Sequence, residues 1–130
     1  MPSDFDANVK LLDAVDSGTF FTIDDVSNGA AFDVIANVEI GRDLNQNVDS
    51  FDLRVGIVNL TQSKSVTIVD DSGALVPVAT PFFDQRRVTI PAGWGNAAVG
   101  DVLQARASYK VTAGANFDFS SAVSNTFVVS

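Results

Sequence analysis

An all-β fold, a two-sheet antiparallel Greek-key sandwich of seven to eight strands, is what this sequence predicts, and three observations carry it. Apolar residues recur at every second position through most of the chain, the period of a strand with one buried face. The acids are fifteen Asp and one Glu; Asp favours turns and caps, whereas exposed helix faces are built largely from Glu and Lys. No segment reads as a helix long enough for a crossover, and parallel sheets need crossovers. With 130 residues, 46% of them hydrophobic and 18% charged, the chain can bury a core of its own and is too apolar to be disordered.

The elements follow in order. Residues 3–15 are ambiguous. Ser3 and Asp6 resemble a capping box, with Phe5, Val9 and Leu12 on one helical face, but residues 9–15 also read as a first strand. We take an extended arm followed by a strand, and divide the chain into an arm with a possible first strand over 1–18 and a β-sandwich domain over 19–130. Residues 20–23, Phe-Phe-Thr-Ile, read as a strand, and Asn28-Gly29 is a strong turn dipeptide. The clearest strand runs over 32–40, with Phe32, Val34, Ala36, Val38 and Ile40 facing a core and Asp33, Asn37 and Glu39 facing water.

A second alternating strand covers 51–57, with Asp52 and Arg54 outward. Beyond Gly56 the pattern blurs at Val58 and Leu60, which calls for a bulge or a covered outer face. Residues 65–69 read as one arm of a hairpin that turns through Asp70-Asp71-Ser72-Gly73 into 74–77. Pro77 and Pro81 make the return segment an edge or take it out of the sheet. Residues 86–90 form a strand stopped by Pro91. Residues 102–111 place Leu103, Ala105, Ala107, Tyr109 and Val111 on one face, and 122–129 form a last strand.

The final segments, Gly-Asp-Val-Leu-Gln-Ala-Arg-Ala-Ser-Tyr at 100–109 and Ser-Ala-Val-Ser-Asn-Thr-Phe-Val-Val at 121–129, preceded by Val-Thr-Ile-Pro-Ala-Gly at 88–93, resemble the closing strands of immunoglobulin-like and fibronectin-III-like sandwiches. The resemblance is to an architecture, since there is no Cys pair and the one Trp, Trp94, lies in a Gly-flanked loop. Leu11-Leu12-Asp13-Ala14-Val15, the Ser17-Gly18 pair and the alternating strand after Asn28-Gly29 are similar to the opening of small β-sandwich proteins of tailed-phage virions. That resemblance implies a capsid-decoration or tail subunit located in a virion.

Composition narrows the chemistry. The chain has no Cys and no His, so disulfides, thiolate nucleophiles and imidazole bases are excluded, along with nearly all zinc sites. The net charge is −8, which argues against nucleic acid and against an anionic membrane surface. Residues 1–53 hold eleven acids against two bases, while 54–130 hold five against six; the acidic half can steer a basic partner, but the preferred reading is acidic loops that keep a secreted or particle-bound domain soluble. No apolar run is long enough to span a membrane as a helix, and the opening Met-Pro-Ser-Asp-Phe-Asp has neither the basic nor the apolar region of a secretion signal. Asp24-Asp25, Asp70-Asp71 and the Asp43/Asp49 loop offer oxygens to Ca²⁺, yet none has EF-hand spacing and neighbouring Asp on a strand point to opposite faces. Solvated turn residues are the preferred reading. Glu39, on a predicted water-facing position, has no carboxyl partner placed for glycoside hydrolysis. We expect no catalytic residue, no metal and no cofactor.

What remains is contact with partners. Phe82, Phe83, Trp94, Phe117 and Phe119 are expected in loops, where aromatic side chains can anchor another protein, stack on a sugar, or fold back to plug an end of the sandwich. Phe5 in the arm, and Arg86 and Arg87 as salt-bridge partners for a neighbouring acidic surface, complete the candidate contact set, although such an Arg pair more often protects a strand from edge-to-edge association. The expected function is non-enzymatic: a structural subunit that binds a larger protein assembly of capsid or tail proteins and copies of itself. The alternative is an extracellular carbohydrate-binding or adhesion module that uses Trp94 and the loop phenylalanines, with or without Ca²⁺.

Overall fold

The computed structural model describes residues 7–130. Strand accounts for 62% and helix for 3%, so the all-β class holds. Eight strands form among the described residues: β1 (Ala7–Val15), β2 (Asp25–Val26), β3 (Phe32–Ile40), β4 (Ser50–Asn59), β5 (Lys64–Ala74), β6 (Phe82–Ile90), β7 (Val102–Ala113) and β8 (Asn116–Val129), with a single helical turn, α1 (Arg42–Asn45), between β3 and β4. They make two sheets, β1-β3-β6 and β2-β8-β7-β4-β5. Every pairing is antiparallel except the two-residue parallel pairing of β2 with β8. The five-stranded sheet curls strongly, into a half-barrel.

The alternating faces explain the core. On β3, Phe32, Val34, Ala36, Val38 and Ile40 all point inward, and on β4 and β7 so do Leu53, Val55, Ile57, Leu103, Tyr109 and Val111. At about 25 cal/mol per Å² of apolar surface, this double layer is the main stabilising term of the domain. Side chains also tie the sheet edges together. At one corner the backbone N–H of Ala7 donates to Asp118 Oδ2 (2.8 Å) and that of Val9 to Ser120 Oγ (2.9 Å), so the free edge of β1 is satisfied by β8. At the other, Arg86 on β6 grips Asp71 on β5 with Nε (2.8 Å) and Nη2 (3.0 Å).

Several local expectations give way. Residues 20–23 form no strand; a single bridge between Val15 and Thr22 is all that remains. The hairpin expected through 70–73 does not form, because β5 runs straight through to Ala74. Cross-strand contacts outweigh the turn propensity of Asp-Asp-Ser-Gly. Arg54 Nε donates to Asp70 (2.9 Å), Asp71 is held by Arg86, and the Phe51 ring lies over Gly73, 3.2 Å from where a Cβ would stand. The blurred pattern after Gly56 is a register shift opposite Ile57 and Val58, where β5 carries one extra residue. The true tight hairpin joins β7 to β8 through Gly114-Ala115. Gly114, at φ 61°, fills the first central position, as a two-residue type II′ loop requires.

Gly56 sits mid-strand on β4 with its open side outward, and a Cβ there would meet nothing closer than Ile68 Cγ1 at 3.9 Å. A strand-interior glycine without a packing reason costs stability. Gly56→Thr is therefore expected to raise stability by about 0.5–1 kcal/mol, read as a higher urea midpoint at unchanged m. A lower midpoint would show that the outer face needs the gap.

Candidate partner-binding surface

The segment between β1 and β2 folds into a small closed loop. Asp16 N–H donates to Phe21 O (3.0 Å), Thr19 N–H to Asp16 O (2.9 Å), Thr19 Oγ1–H to Asp16 O (2.8 Å), and Phe21 N–H to Thr19 Oγ1 (3.2 Å). Gly18 turns the chain at φ 75°. Ser-Gly and Thr at 17–19 supply the turn chemistry that a strand reading overlooked.

This loop lies on the outer face of the three-stranded sheet and is fastened there by two charged residues. Asp33 Oδ2 accepts from Gly18 N–H (2.9 Å) and from Arg87 Nη1 (2.7 Å), while Arg87 Nη2 donates to Thr19 O (2.7 Å). The Arg87 guanidinium also sits over the Phe20 ring, 4.9 Å from its centroid. Asp33, expected to face water, is only 2% exposed because the loop covers it. Burial pushes its carboxyl pKa upward, but the hydrogen bonds from Gly18, Arg87 and Thr89, with the Arg87 charge, outweigh burial and hold it below the ordinary value. The loop so fastened presents Phe20 and Phe21 to solvent, 69% and 75% exposed.

The sequence-derived contact set divides into three. Phe83 and Arg87 lie on the outer face of the three-stranded sheet, on the same side as the Phe20–Phe21 loop. Phe117 and Phe119 lie on the outer face of β8, their rings 6.3 Å apart and within 9° of parallel, with Lys110 over Phe117. Phe82, Arg86 and Trp94 turn inward. Phe82 packs against the core, and Arg86, expected to reach a neighbouring subunit, is paired with Asp71 and lies 4.8 Å over Phe51. Phe5 falls outside the described residues. Phe82, Phe83, Phe117 and Phe119 are therefore on strands, not in loops.

Trp94 does occupy a loop, but it is buried. Its Nε1–H donates to Ala30 O (2.8 Å), and its ring meets Phe32 edge-on at 6.3 Å. It closes one end of the sandwich and is not placed to stack on a sugar. Asp70 and Asp71, weighed above as Ca²⁺ ligands, are engaged by Arg54 and Arg86. Phe20 and Phe21 escaped the sequence reading. The available signal was their adjacency, since two neighbouring phenylalanines break a strict alternation.

No family model matches the chain, and no curated protein matches it.

Proposed function

We propose that this protein is a non-enzymatic structural subunit that binds a larger protein assembly, as a capsid-decoration or tail component of a virion. One observation carries the reading. Of the ten phenylalanines, five (Phe20, Phe21, Phe83, Phe117 and Phe119) are each more than half exposed. Aromatic rings at that exposure are costly on a free monomer and are the residue type that anchors protein interfaces. Two of them sit on a loop held in one conformation by Asp33 and Arg87, so little conformational entropy is left to lose on docking. The virion setting rests on the resemblance of the segments within residues 9–40 to phage sandwich proteins. We further read the two sheets as an immunoglobulin-like Greek-key sandwich, on the strength of the β7–β8 pair; the strong curl of the five-stranded sheet is the feature that departs from that type.

Phe20→Ser with Phe21→Ser tests the surface. Co-sedimentation with isolated particles should weaken at least about tenfold, with melting lowered by no more than about 5 °C, because neither ring is buried and only the contact of Phe20 with Arg87 is lost. Immunogold electron microscopy of particles from the producing cells should place the protein at repeating positions. Finding it there only as a free monomer, unassociated with particles, would reject the proposal.

A further inference from the structure

Gly56 stands in the middle of the outer face of the five-stranded sheet, between Ile68 on β5 and Arg106 on β7, which are its register partners. Arg54, two residues earlier on β4, and Ser108 opposite it share that face. Together they enclose an open hollow of about 240 Å³ whose floor is the glycine. A glycine inside a strand often marks a place where another molecule comes close. The hollow falls below the range of small-molecule sites, about 300–1,000 Å³, and is of a size for one side chain. Its lining is apolar and cationic. Ile68 is 58% exposed, and no carboxylate borders the hollow. Arg54 is paired with Asp70. Arg106 is exposed and makes no ion pair among the described residues, although acids outnumber bases sixteen to eight.

The opposite side of the molecule carries a complementary knob. Phe20 is covered in part by Arg87, but the Phe21 ring has no ring partner and is 75% exposed. Its backbone is held on both sides, by Asp16 N–H on Phe21 O (3.0 Å) and by Thr19 Oγ1 on Phe21 N–H (3.2 Å). Asp16, in the same loop, is exposed and forms no ion pair among the described residues. A guanidinium attracts both an aromatic face and a carboxylate. We propose that the hollow over Gly56 takes the Phe21 ring of a second copy of this chain, between Ile68 and the Arg54 and Arg106 guanidiniums, with Asp16 of that copy on Arg106. This rests on the reading of the Phe20–Phe21 loop as a docking surface and names what the loop docks on. Knob and hollow lie on the outer faces of different sheets, so the contact is head-to-tail. Such a contact builds rings or filaments rather than closed dimers.

The test is the weight-average mass of the purified protein alone, by sedimentation equilibrium over a concentration series. The salt is held at about 0.15 M, where repulsion between two chains of net charge −8 is screened. The mass should rise beyond that of a dimer, with Kd on the order of 0.1 mM for so small a contact. Phe21→Ser removes the knob and Gly56→Thr fills the hollow. Each should weaken association at least about tenfold. An equimolar mixture of the two variants keeps one knob and one hollow, so it should recover the parent affinity and stop at a one-to-one dimer. Ile68→Asp, at an exposed position, takes the place of Gly56→Thr should that variant fold poorly. No particles are present, so failure here is separate from failure of the co-sedimentation above. A parent that stays monomeric up to about 0.5 mM, a mass that saturates at the dimer, or a mixture that associates no better than its components would overturn the contact.

Discussion

Trp94→Ala is expected to destabilise the domain by about 3–4 kcal/mol, lowering the melting temperature by roughly 10–15 °C for a domain of this size. The indole is 8% exposed and plugs the open end of the sandwich against Phe32, which in turn packs on Phe127 with ring centroids 5.4 Å apart. Removing it leaves a void beside two buried aromatic rings and frees the Ala30 carbonyl. It also removes one of two ties between the Gly29–Ala30 and Gly93–Trp94 loops, leaving only the backbone bond from Gly93 N–H to Gly29 O (2.8 Å). Trp94→Phe separates the contributions. It keeps a six-membered ring but loses the N–H donor and part of the buried ring volume, for a cost of about 1–3 kcal/mol. Differential scanning calorimetry of both variants checks this, and a Trp94→Ala protein that melts within about 2 °C of the parent would show that the ring is not a structural plug.

Arg87→Met is expected to cost about 2–3 kcal/mol at pH 7, less than the 3–5 typical of a fully buried pair because the Arg87 side chain is 30% exposed. The pH dependence distinguishes this from simple loss of packing. In the parent, Asp33 titrates below its ordinary value, so its contribution is present above about pH 4 and is lost as pH falls through its folded pKa. Without Arg87 its largest single influence, burial, loses two of its opponents, and the carboxyl pKa rises. Asp33 then contributes less stability above about pH 4 than it does in the parent. The gap between the two proteins should be widest near pH 7 and narrow as pH falls from about 4 toward 2. Urea midpoints across that range measure it, and a gap that does not change with pH would mean that Asp33 is not the group responsible. The same substitution should speed amide exchange across residues 16–21, since Gly18 and Thr19 are held through this pair.

Much of the fold was legible before any coordinates. The alternation over 32–40 and 102–111 assigned the inward residues correctly, since a strand's period of two leaves no freedom about which side chains share a face. Asp33 is the informative exception. It holds an outward position as expected, yet it is buried because residues 16–21 fold back across that face. Nothing in the local pattern reports a loop arriving from elsewhere in the chain. Residue type marks Phe83, Phe117 and Phe119 as contact candidates, but Pro81 and the Gly-Ala-Asn stretch before 117 read locally as irregular chain and predict loops. Long cross-strand pairings extended β6 and β8 over them. Phe20 and Phe21 were assigned to a strand for the opposite reason: local β propensity ran ahead of any partner strand.

Taken alone, the sequence determined the all-β class, the antiparallel character of nearly all pairings, the faces of the long strands and the lack of thiol and imidazole chemistry. These depend on residue type and on nearest-neighbour periodicity, which are written along the chain. Tertiary structure decided the rest. It chose which carboxylate most of the cations found, passed β5 through four turn-forming residues, buried Trp94, and raised Phe20 and Phe21 into solvent. All of these depend on strand order and register, which bring together residues far apart in sequence. Energies of a few kcal/mol, summed over many such contacts, settle them only once the two sheets have closed on each other.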